Sequence, residues 1–554
     1  MRPCSSVLIT SRPTKNKDEQ EKPEFFGQIS KSEERSRVMN IVDLVYRNRR
    51  VWPDNTAFVE IRPVSRQRKE ISWKEFDERT NSLANALIAR GVKKGDRVFM
   101  MGKNSISWLE AYFGIIKTGA WVNPLNFRFT SENITYCAAA AEPCCFIFEE
   151  EYAQLVERSR PGMPTIRTFI AIGDNVADNI ERMEVLIKEG PKLPPPVELK
   201  DEDECGLYFT SGTTGAPKPI LLLHKNLFCP AVNEVTNLRL AQEDSLLMMP
   251  PMYHVAMGHL LGSMLIGAKT ALLTEEITPK TIFDAISTEQ LRVAFLLVPW
   301  TLDILQELDK GELKKDDYRL SQWRILQMGA QPIPTSLIRR WKEYFPAMEC
   351  HNTYGLSESM GPGTIHNKIE DESKIAAIGK PGLLWDARIV DENDEDVPVG
   401  HVGEILLKGM GVMKEYYKNP TLTAKTLVNG WLHTGDLAQM DEDGYIYLVD
   451  RKKDLVISGG ENVYPVEVEE VIQKHPKVRD VAIIGMPDER LGEIVTAIIQ
   501  PVGDDTLTIE EVKSFCDENL PRYKRPRKII FDIVPRNPTG KIEKPKLREK
   551  YITK

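Results

Sequence analysis

Between residues 97 and 125 the sequence alternates in a way that leaves few folds open. RVFMM at 97–101 is a short apolar run, 105–117 has helical periodicity, and WVNPL at 121–125 is apolar again. Two strands joined through a helix pair in parallel, because the crossover is too long for a hairpin. The chain must therefore build on a largely parallel sheet with helices against its faces. Apolar runs at 145–148 and 168–172 extend the pattern, and LLMMPPMYH, TALLTEE, VAFLLVPW and WRILQMGA continue it beyond residue 245. Upstream, a helix through NIVDLVYRNRR ends before Pro53, and Ser72 with Glu75 forms a capping box for a helix that stops at Gly91. From about Arg388 the texture shifts to short strands with turn residues, and a second α/β unit runs from about Arg451. The 554 residues exceed what one core supports. The fold class expected is α/β: a large multi-subdomain N-terminal domain over 40–450 and a small mobile α/β domain over 451–554. Residues 1–39 are expected to be a disordered arm.

The net charge of −8 argues against nucleic acid as the main partner. No apolar run reaches the roughly 18 residues of a membrane span; the region 256–273 is broken by His259 and Lys269. Eight scattered cysteines without a C-x-x-C pair fit free thiols in a reducing compartment, so a cytoplasmic location is expected. There is no HExxH, and His254 and His259 are spaced wrongly to share a helix face, so no structural metal is expected. The first 22 residues are Ser/Thr-rich and basic but lack the apolar core of a signal peptide.

The stretch YFTSGTTGAPKPI at 208–220 is the strongest chemical signal. Its small residues Ser211, Gly212, Thr213, Thr214 and Gly215 let consecutive N–H groups turn toward one point while hydroxyls add donors, a cradle for phosphate oxygens. Lys218 adds a full positive charge. The spacing is not that of G-x-x-x-x-G-K-[ST], and a polar turn between two strands explains the loop equally well by itself. HNTYGLSES at 351–359 offers an aromatic plane in Tyr354, a hydroxyl in Ser357 and a carboxylate in Glu358. An adenine can stack on Tyr354, and Glu358 can hold Mg²⁺, which binds through few carboxylates plus substrate phosphates. WLHTGD sets Asp436 after a glycine turn, where a carboxylate can accept both ribose hydroxyls, and Arg451 follows in YLVDRKKD. Taken singly, Lys541, Tyr354 and His254 would be a surface lysine, a packed aromatic and a structural histidine.

With these motifs in this order from about Asn40 to the C-terminus, the chain resembles the adenylate-forming superfamily of acyl- and aryl-CoA synthetases, firefly luciferase and peptide-synthetase adenylation domains. The resemblance implies that Thr210, the loop 211–215 and Lys218 bind ATP phosphates. Gly329, Ala330 and Gln331, with Asn352 and Gly355, would lie at the adenine, Tyr354 on its plane, and Asp436 and Arg451 at the ribose. Ser357 would touch the α-phosphate, Glu358 would hold the magnesium, and Lys541 in NPTGKIEK would be the catalytic lysine bridging carboxylate and α-phosphate. His254 corresponds to a residue near the carboxylate and the thiol tunnel. Pro219 stands where the family usually has glycine, Ser357 replaces a commoner threonine, and Gln331 a small residue.

The implied chemistry is formation of an acyl-AMP and pyrophosphate from a carboxylate and MgATP, then displacement of AMP by the thiol of coenzyme A. Lys453 occupies the hinge position, and Gly459 and Gly460 would line the pantetheine passage. Arg522, Lys524 and Arg525 can meet CoA phosphates, though such a run is more often a solvated face. The acyl pocket expected from His254, Val255, Met257, Gly258, Val298, Met328, Gly355, Ser359 and Met360 is apolar, with no unpaired charge. It suits an aromatic, alicyclic or medium-chain acid. Two alternatives are a stand-alone enzyme loading a carrier protein and an inactive nucleotide-binding regulator. The expected partners are the acid, ATP and CoA; a homodimer stays open.

Overall fold

The computed structural model of the chain describes residues 39–210, 217–254, 256–329, 333–367, 369, 373–503, 507–536 and 541–552. The expected N-terminal arm lies outside the described residues, apart from Met39. Two large sheets form the bulk of the molecule. The first has eight strands in the order Glu415–Tyr416, Lys218–Leu223, Glu204–Thr210, Trp121–Leu125, Arg97–Met101, Cys145–Glu149, Thr168–Ile172 and Glu181–Arg182. From Glu204–Thr210 to Glu181–Arg182 all neighbours are parallel, as the strand–helix–strand pattern requires. The second has nine strands, with Thr56–Arg62, Lys269–Leu273, Ser245–Met248, Val293–Phe295, Ile325–Gly329 and Glu349–Leu356 as a parallel centre and antiparallel strands at both edges.

One apolar core takes Phe58, Met248 and Phe295 from the nine-stranded sheet and Val98, Met100 and Val122 from the eight-stranded one. It includes the helices Trp73–Ala89, Ile106–Lys117 and Ala256–Ile266. Ile106–Lys117 is buried along almost its whole circumference, which explains a sequence apolar all round. Ser72 caps Trp73–Ala89 by accepting the Glu75 N–H at 3.2 Å, the forward half of the expected capping box. Among the described residues no helix is long and apolar enough to cross a membrane.

At the end of Ile106–Lys117 the core holds an ion pair. Lys117 and Asp77 are both 0% exposed, with Nζ 2.6 Å from Oδ1. Lys117 also donates to Thr80 Oγ1 at 2.9 Å and Asn81 Oδ1 at 2.7 Å. Burial lowers the Lys117 pKa to about 8 despite the Asp77 carboxylate. Removing one member of such a pair leaves an uncompensated charge. Lys117→Met should therefore lower stability by about 3 kcal/mol, read as a drop in the thermal midpoint. An unshifted midpoint would show that the pair does not stabilise this core.

The change of texture near Arg388 corresponds to a five-stranded antiparallel sheet: Trp385–Val390, Gly403–Gly409, Trp431–Met440, Leu427–Val428 and Ile446–Arg451. Past it, the strands Glu461–Val463, Val456–Ser458, Gly492–Pro501, Val478–Asp488 and Lys528–Phe531 form a last sheet. With the helices Pro465–Ile472 and Ile509–Asn519 it closes a core drawn only from residues 456–529. The C-terminal segment thus has its own interior.

Candidate active site

The glycine and threonine loop joins two antiparallel strands, Glu204–Thr210 and Lys218–Leu223, with Thr210 opposite Lys218. Ser211, Gly212, Thr213, Thr214 and Gly215 lie outside the described residues. Pro219 sits in the second strand, where it lacks an N–H but its carbonyl accepts from Tyr417 at 2.9 Å. The short strand Glu415–Tyr416 adds to this edge, opposite Leu221 and Ile220. That pairing sets the Tyr416 ring 5.7 Å from Lys218 Nζ. Tyr416 Oη in turn donates to Glu358 Oε1 at 2.7 Å. Burial and the adjacent Glu358 push the Tyr416 phenol pKa up, so it stays a donor. Tyr416 was not anticipated from sequence; it links Lys218 to Glu358, the carboxylate expected to hold magnesium.

Glu358 lies on the turn Ser357–Ser359 between the strands Glu349–Leu356 and Gly361–His366. Gly355 is needed there because a Cβ would fall 2.0 Å from the Gly361 carbonyl oxygen. Ser359 accepts the Leu356 N–H at 2.9 Å and lies 2.8 Å from the Gly361 carbonyl, so its hydroxyl pins the turn. Glu358 Oε2 has no partner among the described residues. A single open carboxylate oxygen suits magnesium carried in with nucleotide. Among the described residues there is also no cluster of three or more His, Cys, Asp or Glu that would form an all-protein metal cage.

Tyr354, Asp436 and Arg451 form one unit. Asp436 and Arg451 face each other across antiparallel strands, 3.4 Å from Oδ1 to Nε. Tyr354 Oη donates to Asp436 Oδ2 at 2.7 Å. Burial, then the Asp436 charge, holds the Tyr354 phenol protonated. The aromatic plane expected for adenine is thereby fixed beside the carboxylate expected for ribose. Asn352 donates to the Ala377 carbonyl at 3.2 Å, which orients its amide. Gly329 is required because a Cβ would lie 2.6 Å from the Thr353 carbonyl. Ala330 and Gln331 lie outside the described residues.

Lys541, about 90 residues past Arg451, returns to this group. Burial lowers its pKa to about 8, Arg451 and Lys453 push the same way, and Asp436 and Glu358 oppose them. His254, half-buried before the helix Ala256–Ile266, is held to about 4 by burial and by Lys541, so it is neutral at pH 7. The hinge candidate Lys453 is exposed in the turn after Arg451 and has its pKa lowered by partial desolvation and by Arg451.

In the expected acyl lining, Met257, Val298 and Met328 are fully buried, and Val255 lies outside the described residues. Gly258 is required because a Cβ would lie 2.6 Å from the carbonyl of Met360. Met360 adopts φ +48°, a left-handed turn conformation. His259, Glu234 and Gln327 form a separate buried polar cluster. Of the residues expected at the CoA phosphates, Lys524 is paired with Glu467 at 2.5 Å and Arg525 with Asp517 at 2.8 Å. Arg522 alone of the three has no partner among the described residues. Gly459 and Gly460, at φ +62° and +86°, make the two-residue turn of the hairpin Val456–Ser458 to Glu461–Val463. That requirement accounts for both glycines whatever their role in the passage.

The chain matches two family models, "AMP-binding enzyme" over residues 45–417 and "AMP-binding enzyme C-terminal domain" over 467–541. A feruloyl-CoA synthase of an Amycolatopsis species is 32% identical over 483 residues, 87% of this chain and 94% of that one. A Mycobacterium tuberculosis long-chain-fatty-acid–CoA ligase, FadD13, is 32% identical over 491 residues, 87% of this chain and 93% of its own. Among solved structures, the anthranilate CoA ligase AuaEII in complex with anthranoyl-AMP superposes with a TM-score of 0.83 at 26% identity, covering 93% of this chain and 98% of that one. Glu358, Asp436 and Arg451, from separated segments, act electrostatically on Lys541, in a chain that belongs to the AMP-binding enzyme family of the adenylate-forming superfamily and is an AMP-forming acyl-CoA synthetase.

Proposed function

We propose that the protein adenylates an aromatic, alicyclic or medium-chain monocarboxylic acid and transfers the acyl group to coenzyme A. The observation that carries this reading is that Glu358, Asp436 and Arg451, from separated segments, all act electrostatically on Lys541, as Lys541 does on His254. Asp436, steadied by Tyr354 and Arg451, would hold the ribose, and Tyr354 the adenine. Lys218, Thr210 and the loop between them would bind the outer phosphates, with Ser357 at the α-phosphate. Magnesium, when bound at Glu358, would neutralise phosphate charge. The acid's carboxylate would then attack the α-phosphate from the side of His254, whose neutral ring adds no competing charge. Lys541 would contact the carboxylate and the α-phosphate together, and charge developing in the transition state would meet a fixed ammonium.

For the second half-reaction, residues 451–554 would turn about Lys453, withdrawing Lys541 and bringing the Gly459–Gly460 hairpin to the thiol path. The return strand of that hairpin packs against the turn Arg522–Lys524, which supports Arg522 as the CoA phosphate contact. Lys453→Pro restricts φ at the pivot. It should slow thioester formation from supplied acyl-AMP by about tenfold or more while adenylation changes less; equal effects on both would contradict the pivot. The substrate class is tested by measuring pyrophosphate and thioester formation across a panel of acids with ATP and CoA. Highest activity on acetate or on an amino acid would overturn it.

A further inference from the structure

The loop that carries His254 depends on hydrogen bonds from outside itself. It runs from the strand Ser245–Met248 to the helix Ala256–Ile266, and Pro250 and Pro251 within it have no N–H to donate. Met249, Pro250 and Met252 are buried, so their backbone polar groups need partners. Asn104 supplies them. Its amide nitrogen donates to the carbonyls of Met249 at 3.2 Å and Pro250 at 2.9 Å, and its oxygen accepts the Met252 N–H at 3.0 Å. Both donors and the acceptor are thereby used, and a reversed amide would set its oxygen against two carbonyls and its nitrogen against an N–H. Asn104 is only 8% exposed, so water does not substitute for these contacts. The next link leads to the site: the Pro251 carbonyl accepts the His254 N–H at 3.3 Å. His254 thus hangs from the backbone that Asn104 holds.

Asn104 is itself firmly mounted, in the turn between the strand Arg97–Met101 and the helix Ile106–Lys117. On one side the Lys103 N–H donates to Glu149 Oε2 at 3.0 Å, and on the other the Ile106 N–H donates to Glu60 Oε2 at 2.8 Å. Ser105 caps the helix by accepting the Trp108 N–H at 3.0 Å. Glu149 ends a strand of the eight-stranded sheet and Glu60 lies on a strand of the nine-stranded one, so the turn is fastened to both sheets. The loop must therefore follow the turn. Both segments leave the carboxyl ends of parallel strands, the side on which α/β sheets bind their ligands. We infer that Asn104 is a positioning residue for the acid: by fixing residues 249–252 it fixes His254 against the carboxylate. This inference rests on the CoA-ligase reading and adds to it a residue whose three amide hydrogen bonds all go to that loop.

The test uses two substitutions in the full chain. Asn104→Ala removes the amide. Asn104→Asp fills the same space and keeps the acceptor for the Met252 N–H, but turns an oxygen toward two carbonyls. Pyrophosphate release is measured with the most active acid of the panel, varying the acid and ATP in turn. In both variants the KM for the acid should rise about tenfold or more while the KM for ATP stays within about twofold, since a small misplacement is costly only to the group that is misplaced. In a His254→Ala background the same substitutions should change kcat/KM for the acid by less than about twofold, because the residue they act through is gone. A residue that only steadies the fold would lower the thermal midpoint and kcat and leave both KM values parental. That result, or an undiminished effect in the His254→Ala background, would overturn the inference and leave the ligase reading standing. No pyrophosphate release from the parent with any acid would sink both.

Discussion

Lys541→Ala should slow acyl-AMP formation on the order of a hundredfold or more, the scale of losing one fixed charge at a transition state, while thioester formation from supplied acyl-AMP continues. The expectation follows from where the ammonium is held. It comes from the far end of the C-terminal segment, yet the Glu358 and Asp436 carboxylates both act on it. Its pH dependence has a definite sign. Burial, with Arg451 and Lys453, lowers its pKa to about 8, so the charged form prevails below pH 8 and is lost as pH rises through it. The kcat/KM for adenylation should therefore fall on the alkaline side near pH 8, and Lys541→Arg, which keeps its charge, should flatten that limb even if it is slow. His254 contributes no limb near neutrality, because its pKa is held near 4. Equal loss of both half-reactions in Lys541→Ala, or an unchanged alkaline limb in Lys541→Arg, would remove Lys541 from the role given to it.

The parts of this arrangement that could be read from sequence are those whose neighbours are local or whose pattern is periodic. The strand–helix–strand run at 97–125 dictated a parallel sheet, and Gly435 marked a turn that the backbone makes at φ +73°. What stayed hidden depends on pairing across long separations. Tyr416 meets Glu358 only because the two-residue strand Glu415–Tyr416 joins the edge beside Lys218. The cluster of Glu234, His259 and Gln327 spans 93 residues and three elements, and each member alone looks like a surface residue of an amphipathic segment. The basic run near Arg525 shows the opposite case: its charges are conspicuous in sequence, while Glu467 and Asp517, which pair with two of them, are distant or unremarkable.

The Tyr416 contact separates two functions of Glu358 that a simple deletion would confound. Glu358→Gln keeps an oxygen that can accept from Tyr416 Oη, so the turn Ser357–Ser359 stays anchored, yet it removes the charge that would hold magnesium. Adenylation should fall on the order of a hundredfold, with a higher magnesium concentration needed for half-maximal rate and little change in the thermal midpoint. Tyr416→Phe does the reverse. It leaves the carboxylate charged but frees it to move, forfeiting a hydrogen bond to a charged group, about 1.5–3 kcal/mol at most. Its rate should drop roughly tenfold to a hundredfold, with the magnesium requirement shifted less than in Glu358→Gln. The difference between these variants is what identifies the carboxylate as the ion's ligand: a Glu358→Gln protein with parental magnesium dependence would mean that Glu358 serves only to fasten Tyr416 and the strand Glu415–Tyr416.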